Sequence, residues 1–240
     1  MVLGIIAEYN PFHNGHLYHI LKSKELTKDD YVIAIIGGNF TQRGESSIVD
    51  KWTKAEMALA GGADLVIELP TLYSVSSAEN FADGAVKILN SLKVVDHLSF
   101  GAECQELNKL NIIANVLYEE PKEFKTLLSN ELKSGLSFPK ARERALMMYL
   151  NDVRRFANVL SSSNNILGIE YLKALKRQKS IIQPITIKRE GNNYNDNTIP
   201  TDSQFASATA IRKLCASHNS DILQRFMPEA SFNILNNAIE

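Results

Sequence analysis

The first hundred residues alternate between short apolar runs and segments with helical spacing of apolar positions. The apolar runs lack the polar alternation of a half-exposed strand, which is typical of strands covered on both faces. They comprise residues 2–7, 31–36, 65–69 and 94–100. The helical segments between them comprise residues 15–26, 51–60 and 78–92. This alternation predicts an α/β fold with a Rossmann-like parallel sheet and helices on both faces.

The second part of the chain is mainly helical in pattern. Residues 106–150 predict three helices, as an insertion or a flank of the sheet, with breaks near Pro121 and at residues 135–139. The predicted segments that follow are a helix at 164–176, a strand at 181–187, a polar loop at 191–203, a short helix at 208–216 and a helical tail from residue 221.

Composition excludes several classes of protein. The chain has 240 residues, 45% of them hydrophobic, and a net charge of −1, so it has no overall basic footprint for nucleic acid. It contains no apolar run of about 18 residues, and its N-terminus lacks the basic region of a signal peptide. Cys104 and Cys215 are the only cysteines and are far apart, so we expect reduced thiols and a cytoplasmic protein.

Candidate chemistry lies in the loops after the predicted strands, because ligands bind beyond the carboxyl ends of parallel strands. The loop between the first strand and first helix contains His13, Gly15 and His16. The amides and the dipole at a helix N-terminus favour anions, and a residue without Cβ lets a phosphate approach the backbone. Two imidazoles three residues apart could stabilise charge that develops on an α-phosphate. We interpret this loop as a phosphate site of an enzyme that transfers nucleotidyl groups.

Each histidine also has an interpretation without a functional role. His13 and His16 could be surface residues of a loop, although the strand before them and the helix after them favour the phosphate site. His19, one turn further along, is interpreted as an ordinary helix residue, with a place in the nucleotide site as the alternative.

The residues around this motif resemble a known family. Residues 10–16 (NPFHNGH) resemble the H-x-G-H signature of adenylyltransferase-like enzymes, and the wider pattern is similar to the bacterial tRNA(Met) cytidine acetate ligase family. The matching strings are 4–16 (GIIAEYNPFHNGH), 38–45 (GNFTQRGE), 50–52 (DKW), 64–70 (DLVIELP), 99–103 (SFGAE) and 165–172 (NILGIEYL).

This resemblance implies an activity. The family activates acetate with ATP and transfers the acetyl group to the exocyclic amine of the wobble cytidine of elongator tRNA(Met), releasing AMP and pyrophosphate. The implied partners are therefore acetate, this tRNA, and ATP with Mg²⁺. Family members are longer than this chain, which we expect to be either truncated or naturally short. The expected division is a nucleotidyltransferase-like domain at residues 1–218 and a helical tail at 219–240 that begins a tRNA-binding region.

The resemblance also implies a set of nucleotide contacts, with His13 and His16 as the catalytic residues. The expected ATP-binding residues are Ala7, Glu8, Tyr9, Asn10, Pro11, Phe12, His13, Asn14, Gly15, His16, Leu17, His19, Ile20, Gly101, Asn164, Arg189, Ser207 and Arg212.

The later members of this set each have a structural alternative. Gly101 could serve a tight turn, and Asn164 could cap a helix. Arg189 could meet phosphate with its planar fork or be an exposed arginine. Ser207 is a natural N-cap, and Arg212 could neutralise the leaving pyrophosphate or lie in solvent.

The loop after the second strand is a candidate substrate or tRNA loop. Its polar residues and cations are Asn39, Gln42, Arg43 and Lys51. They could contact the acetyl-adenylate, the tRNA or only their neighbours. Trp52 is expected to pack a helix rather than stack a base.

No group of His, Cys, Asp and Glu has metal-ligand spacing, so we expect no metal site built by the protein. Two other functions stay open. A small-molecule adenylyltransferase would use the same phosphate site, and a non-catalytic adenine-nucleotide or RNA-binding domain would keep the fold without the chemistry.

Overall fold

The computed structural model describes residues 1–104, 106–152, 156, 159–160, 162–188, 203–217 and 220–239. Within this part of the chain, five strands form one parallel sheet in the order β3-β2-β1-β4-β5. The strands are β1 (Val2–Ala7), β2 (Tyr31–Gly37), β3 (Leu65–Leu69), β4 (His97–Ala102) and β5 (Gln183–Lys188). The predicted Rossmann-like sheet is therefore confirmed.

Helices fill the connections between the strands and follow the last one. In the described residues they are α1 (Asn14–Thr27), α2 (Lys51–Ala60), α3 (Thr71–Ser74), α4 (Ala78–Leu92), α5 (Leu107–Glu119), α6 (Lys122–Lys133), α7 (Phe138–Leu150), α8 (Ser163–Arg177), α9 (Ala208–Ala216), α10 (Ser220–Leu223) and α11 (Glu229–Ile239), with a short 3-10 turn at Gln224–Phe226. None of these helices is long and apolar enough to cross a membrane.

The central strands are apolar on both faces because both faces are covered. Leu3 and Ile5 of β1 belong to one buried cluster, whereas Ile6 belongs to the other. The first cluster includes residues of α1, α2, α9 and α11, and the second includes residues of α4, α5, α7 and α8. Successive side chains of a strand point to opposite faces, so an unbroken apolar run satisfies both cores.

Most predicted boundaries are confirmed to within a residue or two, but β4 begins later than expected. Lys93 ends α4 in the left-handed conformation, with φ 61°, and the strand begins at His97 rather than residue 94. Val95 is buried in the core although it precedes the strand, which is why the apolar pattern misplaced the boundary. The predicted loop at 191–203 lies outside the described residues except for Ser203.

Strand order determines where a ligand can enter. The chain leaves β1 into α1, which packs on the first cluster, and continues from β4 to α5, which packs on the second. Because β1 and β4 are neighbours in the sheet, the two connections diverge between them. Such a switch point opens a crevice at the carboxyl ends of the strands.

One prediction concerns the close packing of α8 on β4. A Cβ added at Gly168 would lie 2.5 Å from Cε2 of Phe100, whose ring is buried. We expect Gly168→Val to lower the free energy of unfolding by about 1–3 kcal/mol, as overpacked cores do. Urea unfolding would measure this change. Lys176→Ala, at an exposed position of the same helix, should change it by less than about 0.5 kcal/mol; equal effects would contradict the packing argument.

Candidate active site

A cavity of about 350 Å³ opens at the carboxyl edge of the sheet, at the switch point. It is lined by the loop after β1, the ends of β4 and β5, and the first turns of α1, α8 and α9. The expected nucleotide-binding residues that line it are Ala7, Glu8, Tyr9, Asn10, His13, Gly15, His16, His19, Gly101, Asn164 and Arg212. Gln42 and Arg43 of the candidate substrate loop also line it.

The other expected contacts lie beside the cavity. Phe12 and Ile20 are buried in the first core cluster, and Leu17 packs against it. Asn14 donates from Nδ2 to two backbone carbonyls, at 3.1 and 3.0 Å, and Ser207 caps α9. Pro11 follows a cis peptide bond and does not line the cavity, and Arg189 lies outside the described residues.

The two motif histidines form a capping box at the start of α1. Nδ1 of His13 accepts from the amide of Gly15 at 3.0 Å, and Nδ1 of His16 accepts from the amide of His13 at 3.2 Å. The first amides of a helix have no partner within it, and these contacts satisfy two of them. A ring nitrogen that accepts carries no proton, so each neutral imidazole holds its proton on Nε2.

Aromatic contacts hold these rings in place. The His13 and His16 rings stack with centroids 3.7 Å apart, and the Tyr9 ring meets that of His16 edge-on at 4.8 Å. Tyr9 adopts φ 48°, is 1% exposed, and its burial raises the pKa of its hydroxyl. The imidazoles are therefore fixed before any ligand arrives, as electrostatic catalysis requires.

His19 is held differently, by two buried serines. Ser23 Oγ donates its proton to the carbonyl of His19 at 2.7 Å, so it must accept from Ser99 Oγ, also at 2.7 Å. Ser99 then accepts from Nε2 of His19 at 2.7 Å. His19 thus donates its Nε2 proton to Ser99 of β4, although the residue lines the cavity.

Arg212 joins α9 to the motif loop. Its guanidinium donates to the carbonyl of Asn10 at 3.0 Å and to Oγ1 of Thr209 at 3.2 Å. Oδ1 of Asn10 accepts from the amide of Ile48 at 2.9 Å. The positive charge of Arg212, which comes from the last third of the chain, is therefore held at the cavity wall by the loop after β1.

A second junction connects β4 to α8. Asn164 donates to Oε1 of Glu103 at 2.6 Å, and Oδ1 of Asn165 accepts from the amides of Glu103 and Cys104 at 3.0 and 2.9 Å. Of these two residues, only Asn164 was expected from the sequence to contact the nucleotide. Asn165 is buried and holds the two amides that follow β4, and its position at a predicted helix start was the signal available for finding it.

The candidate substrate loop divides into two parts. Gln42 and Arg43 reach the cavity, whereas Asn39 accepts from the amide of Lys51 at 2.8 Å and does not line it. Lys51 pairs with Glu68 at 2.7 Å. Trp52 is 73% exposed, so the expectation that it packs a helix is wrong; it lies at the solvent face of α2, with the Lys51 ammonium 5.3 Å from its ring centroid.

Lys54 was missed by sequence analysis and supports this loop from beneath. It is fully buried, and its ammonium donates to the carbonyls of Gly37 and Gly38 at 2.8 and 2.9 Å and to Ser47 Oγ at 3.3 Å. Burial lowers the pKa of Lys54 to about 8, against the nearby charges of Glu8 and Glu68. A lysine at helical spacing in an amphipathic segment gives no sign of burial, because most such lysines are solvated.

Two fixed imidazoles at a helix start and an arginine at the switch point of a Rossmann-like sheet are the features expected of the nucleotidyltransferase class. The sequence model of the HIGH Nucleotidyl Transferase family matches residues 1–240, and the chain belongs to this family.

Within this family, the chain is similar to a particular group of enzymes. The chain is 53% identical over 239 residues to the tRNA(Met) cytidine acetate ligase of Thermoanaerobacter sp. (strain X514) and 51% identical over 238 residues to that of Acetivibrio thermocellus, covering 100% and 98% of this chain. It spans 59% and 57% of those relatives. The resemblance stated from the sequence is confirmed.

Two solved structures of one protein have the same fold as this chain. The apo form I structure of Thermotoga maritima TmcAL has a TM-score of 0.95 at 44% identity, covering 99% of this chain and 56% of that one. The form II structure of the same protein, bound with alpha-thio ATP, has a TM-score of 0.91 at 43% identity and the same coverage.

His16 generates a kinetic prediction. Asn at this position can still accept from the His13 amide in place of Nδ1 but lacks Nε2, whereas Gln can place a donor near Nε2. We expect His16→Asn to lower kcat for ATP consumption by about 10²–10³, with little change in KM for ATP. His16→Gln should retain more activity. Steady-state kinetics would measure both; equal losses in kcat and in ATP affinity would identify His16 as a ground-state binding residue.

Lys54 generates a stability prediction. Its pKa is about 8 in the folded chain and about 10.4 when unfolded. Between these values the unfolded state binds more protons, so the free energy of unfolding contributed by this group rises with pH. We expect the free energy of unfolding of the wild type, minus that of Lys54→Met, to rise by roughly 2 kcal/mol between about pH 8 and about pH 10. Urea unfolding at several pH values would measure it, with the exposed Lys87→Met as control; a flat difference would contradict the burial argument.

Proposed function

We propose that this chain forms acetyl-adenylate from ATP and acetate, and transfers the acetyl group to the exocyclic amine of the wobble cytidine of elongator tRNA(Met). The observation that carries the proposal is the identity of about half the residues, along the whole chain, to relatives named for this reaction. The chain spans under two thirds of the length of those relatives.

In the first step, an acetate oxygen attacks the α-phosphorus of ATP and pyrophosphate leaves. The attacking carboxylate is already charged, so no base is needed, and positioning and electrostatic stabilisation supply the catalysis. The Nε2 protons of His13 and His16 suit the charge that builds on the α-phosphate. Arg212 suits the leaving pyrophosphate, since its guanidinium is permanently charged and held at the cavity wall.

In the second step, the amine nitrogen attacks the acetyl carbon. A carbon–nitrogen bond forms, the bond from the carbonyl carbon to the phosphate oxygen breaks, and AMP leaves. The amine must lose a proton in this step.

Mg²⁺ belongs to this proposal as the counterion of ATP, which would reduce the charge of the triphosphate. Among the described residues, no three His, Cys, Asp or Glu side chains are close enough to hold a metal ion. The chain therefore fits an ion that arrives on the phosphates and keeps several waters, as Mg²⁺ commonly does.

The tRNA assignment has consequences for the rest of the chain. We infer that residues 1–218 carry the adenylation chemistry in the cytoplasm and that residues 219–240 begin the tRNA-binding part. In the structure, the segment 220–239 contributes Leu223, Phe226 and Leu235 to the first core cluster, so it would anchor whatever binds the tRNA to the catalytic sheet.

The test measures both steps separately. Hydroxylamine intercepts acetyl-adenylate as acetohydroxamate, and mass spectrometry detects acetylcytidine in an unmodified elongator tRNA(Met) transcript. We expect AMP and hydroxamate only when acetate is present, and acetylcytidine only when the transcript is added. Pyrophosphate release with transfer of AMP to another small acceptor would favour the small-molecule adenylyltransferase. ATP binding without AMP would favour the non-catalytic domain.

A further inference from the structure

The cavity has a marked asymmetry of charge. Among the described residues that line it, Glu8 is the sole carboxylate, whereas the imidazoles, Arg43, Lys188 and Arg212 are cationic or hydrogen-bond donors. ATP and acetate are both anions, so neither of their charged groups is stabilised beside Glu8. The ligand group that fits this carboxylate is a hydrogen-bond donor.

The position of Glu8 is fixed from one side. Its Oε1 accepts from the backbone amide of Gln42 at 2.8 Å, while Oε2 accepts from no described residue. The buried ammonium of Lys54 is close enough to interact with its charge. Glu8 therefore keeps one oxygen for the candidate substrate loop and presents a second acceptor in the cavity wall.

Tyr171 supplies the complementary group. It lines the cavity, is 2% exposed, and its hydroxyl makes no hydrogen bond to a described residue. Burial raises the pKa of this hydroxyl, and the charge of Glu8 raises it further, so the group stays a donor. Glu8 and Tyr171 are thus an acceptor and a donor near one another.

The surrounding wall is apolar and aromatic. Phe81 and Phe100 line the cavity in the same core cluster as Tyr171, and the rings of Phe100 and Tyr171 lie 5.6 Å apart. Flat aromatic walls suit a nucleobase, whose faces are apolar and whose edge carries the polar groups.

We propose that Glu8, Phe81 and Tyr171 form the subsite for the acceptor base, and that Glu8 accepts the proton that the attacking amine loses. The inference deepens the proposed function and rests on it. Cytosine presents an amine donor beside a ring-nitrogen acceptor, which matches a carboxylate beside a hydroxyl. Uracil presents the reverse order and would leave both protein groups mismatched.

The proton balance explains why a base is needed. The exocyclic amine of cytosine delocalises its lone pair into the ring, so it is a weak nucleophile and gains positive charge as its nitrogen bonds to the acetyl carbon. Transfer of one amine proton to Oε2 of Glu8 neutralises that charge while AMP leaves. A positioned base typically contributes about 10²–10⁴ in rate.

Adenine has the same donor and acceptor order as cytosine, so the adenine of ATP is the competing occupant. The competition is resolved by the half-reactions: an adenine subsite affects the KM for ATP, whereas an acceptor subsite affects only the transfer to RNA. A role of Glu8 in holding Mg²⁺ would likewise slow adenylation.

The experiment uses Glu8→Gln, which keeps an oxygen for the Gln42 amide and removes the charge. We expect acetylcytidine formation on the tRNA(Met) transcript to fall by about 10² more than acetohydroxamate formation does. Tyr171→Phe should raise the KM for the transcript and leave hydroxamate formation unchanged. Glu56→Gln, an exposed position on α2, serves as the charge-matched control and should match wild type in both assays.

Other outcomes overturn the inference in distinguishable ways. Equal losses in both half-reactions, or a raised KM for ATP, would place Glu8 in the adenylation site. Unchanged RNA acetylation by Glu8→Gln would remove the subsite and leave the proposed function standing. Wild-type hydroxamate without acetylcytidine would reject transfer to tRNA by these residues and the subsite with it, and no wild-type hydroxamate would reject the proposed function itself.

Discussion

The backbone amides at the start of α1 are the constraint around which the site is organised. They need acceptors, and the Nδ1 atoms of His13 and His16 supply two. The same hydrogen bonds that stabilise the helix start therefore choose the tautomer of both rings and direct their Nε2 protons away from the backbone. Structure and chemistry depend on one set of contacts, so the helix cannot begin properly without also preparing the donors.

The rest of the cavity is assembled by contacts between segments far apart in the chain. The β1 loop receives the Arg212 guanidinium, the β4 loop is bound by Asn165, and the Gly37–Gly38 carbonyls are held by Lys54. The cavity wall is therefore built from segments that come together only in the folded chain.

Sequence alone was sufficient wherever the cause was local. The bounds of β1, α2, β3 and α4 follow from apolar runs and caps, and the position of the motif loop at the cavity follows from its place between a strand and a helix. The roles of Lys54, Ser99 and Asn165 did not follow, because each depends on a partner brought near by the fold. The Ser99–His19 contact, for example, joins residues 80 positions apart. Trp52 was misjudged for the same reason: helical spacing does not say which face another element covers.

The hydrogen bond from Arg212 to the carbonyl of Asn10 has a consequence for biosynthesis. Its partners are separated by 202 positions, and Asn14 makes a comparable contact to the carbonyl of Arg225. The loop that holds the motif histidines is synthesised before these partners, which follow about 10–40 s later at ordinary elongation rates. A nascent chain therefore carries the motif loop well before the residues that complete the cavity wall, and the cavity can form only after that interval.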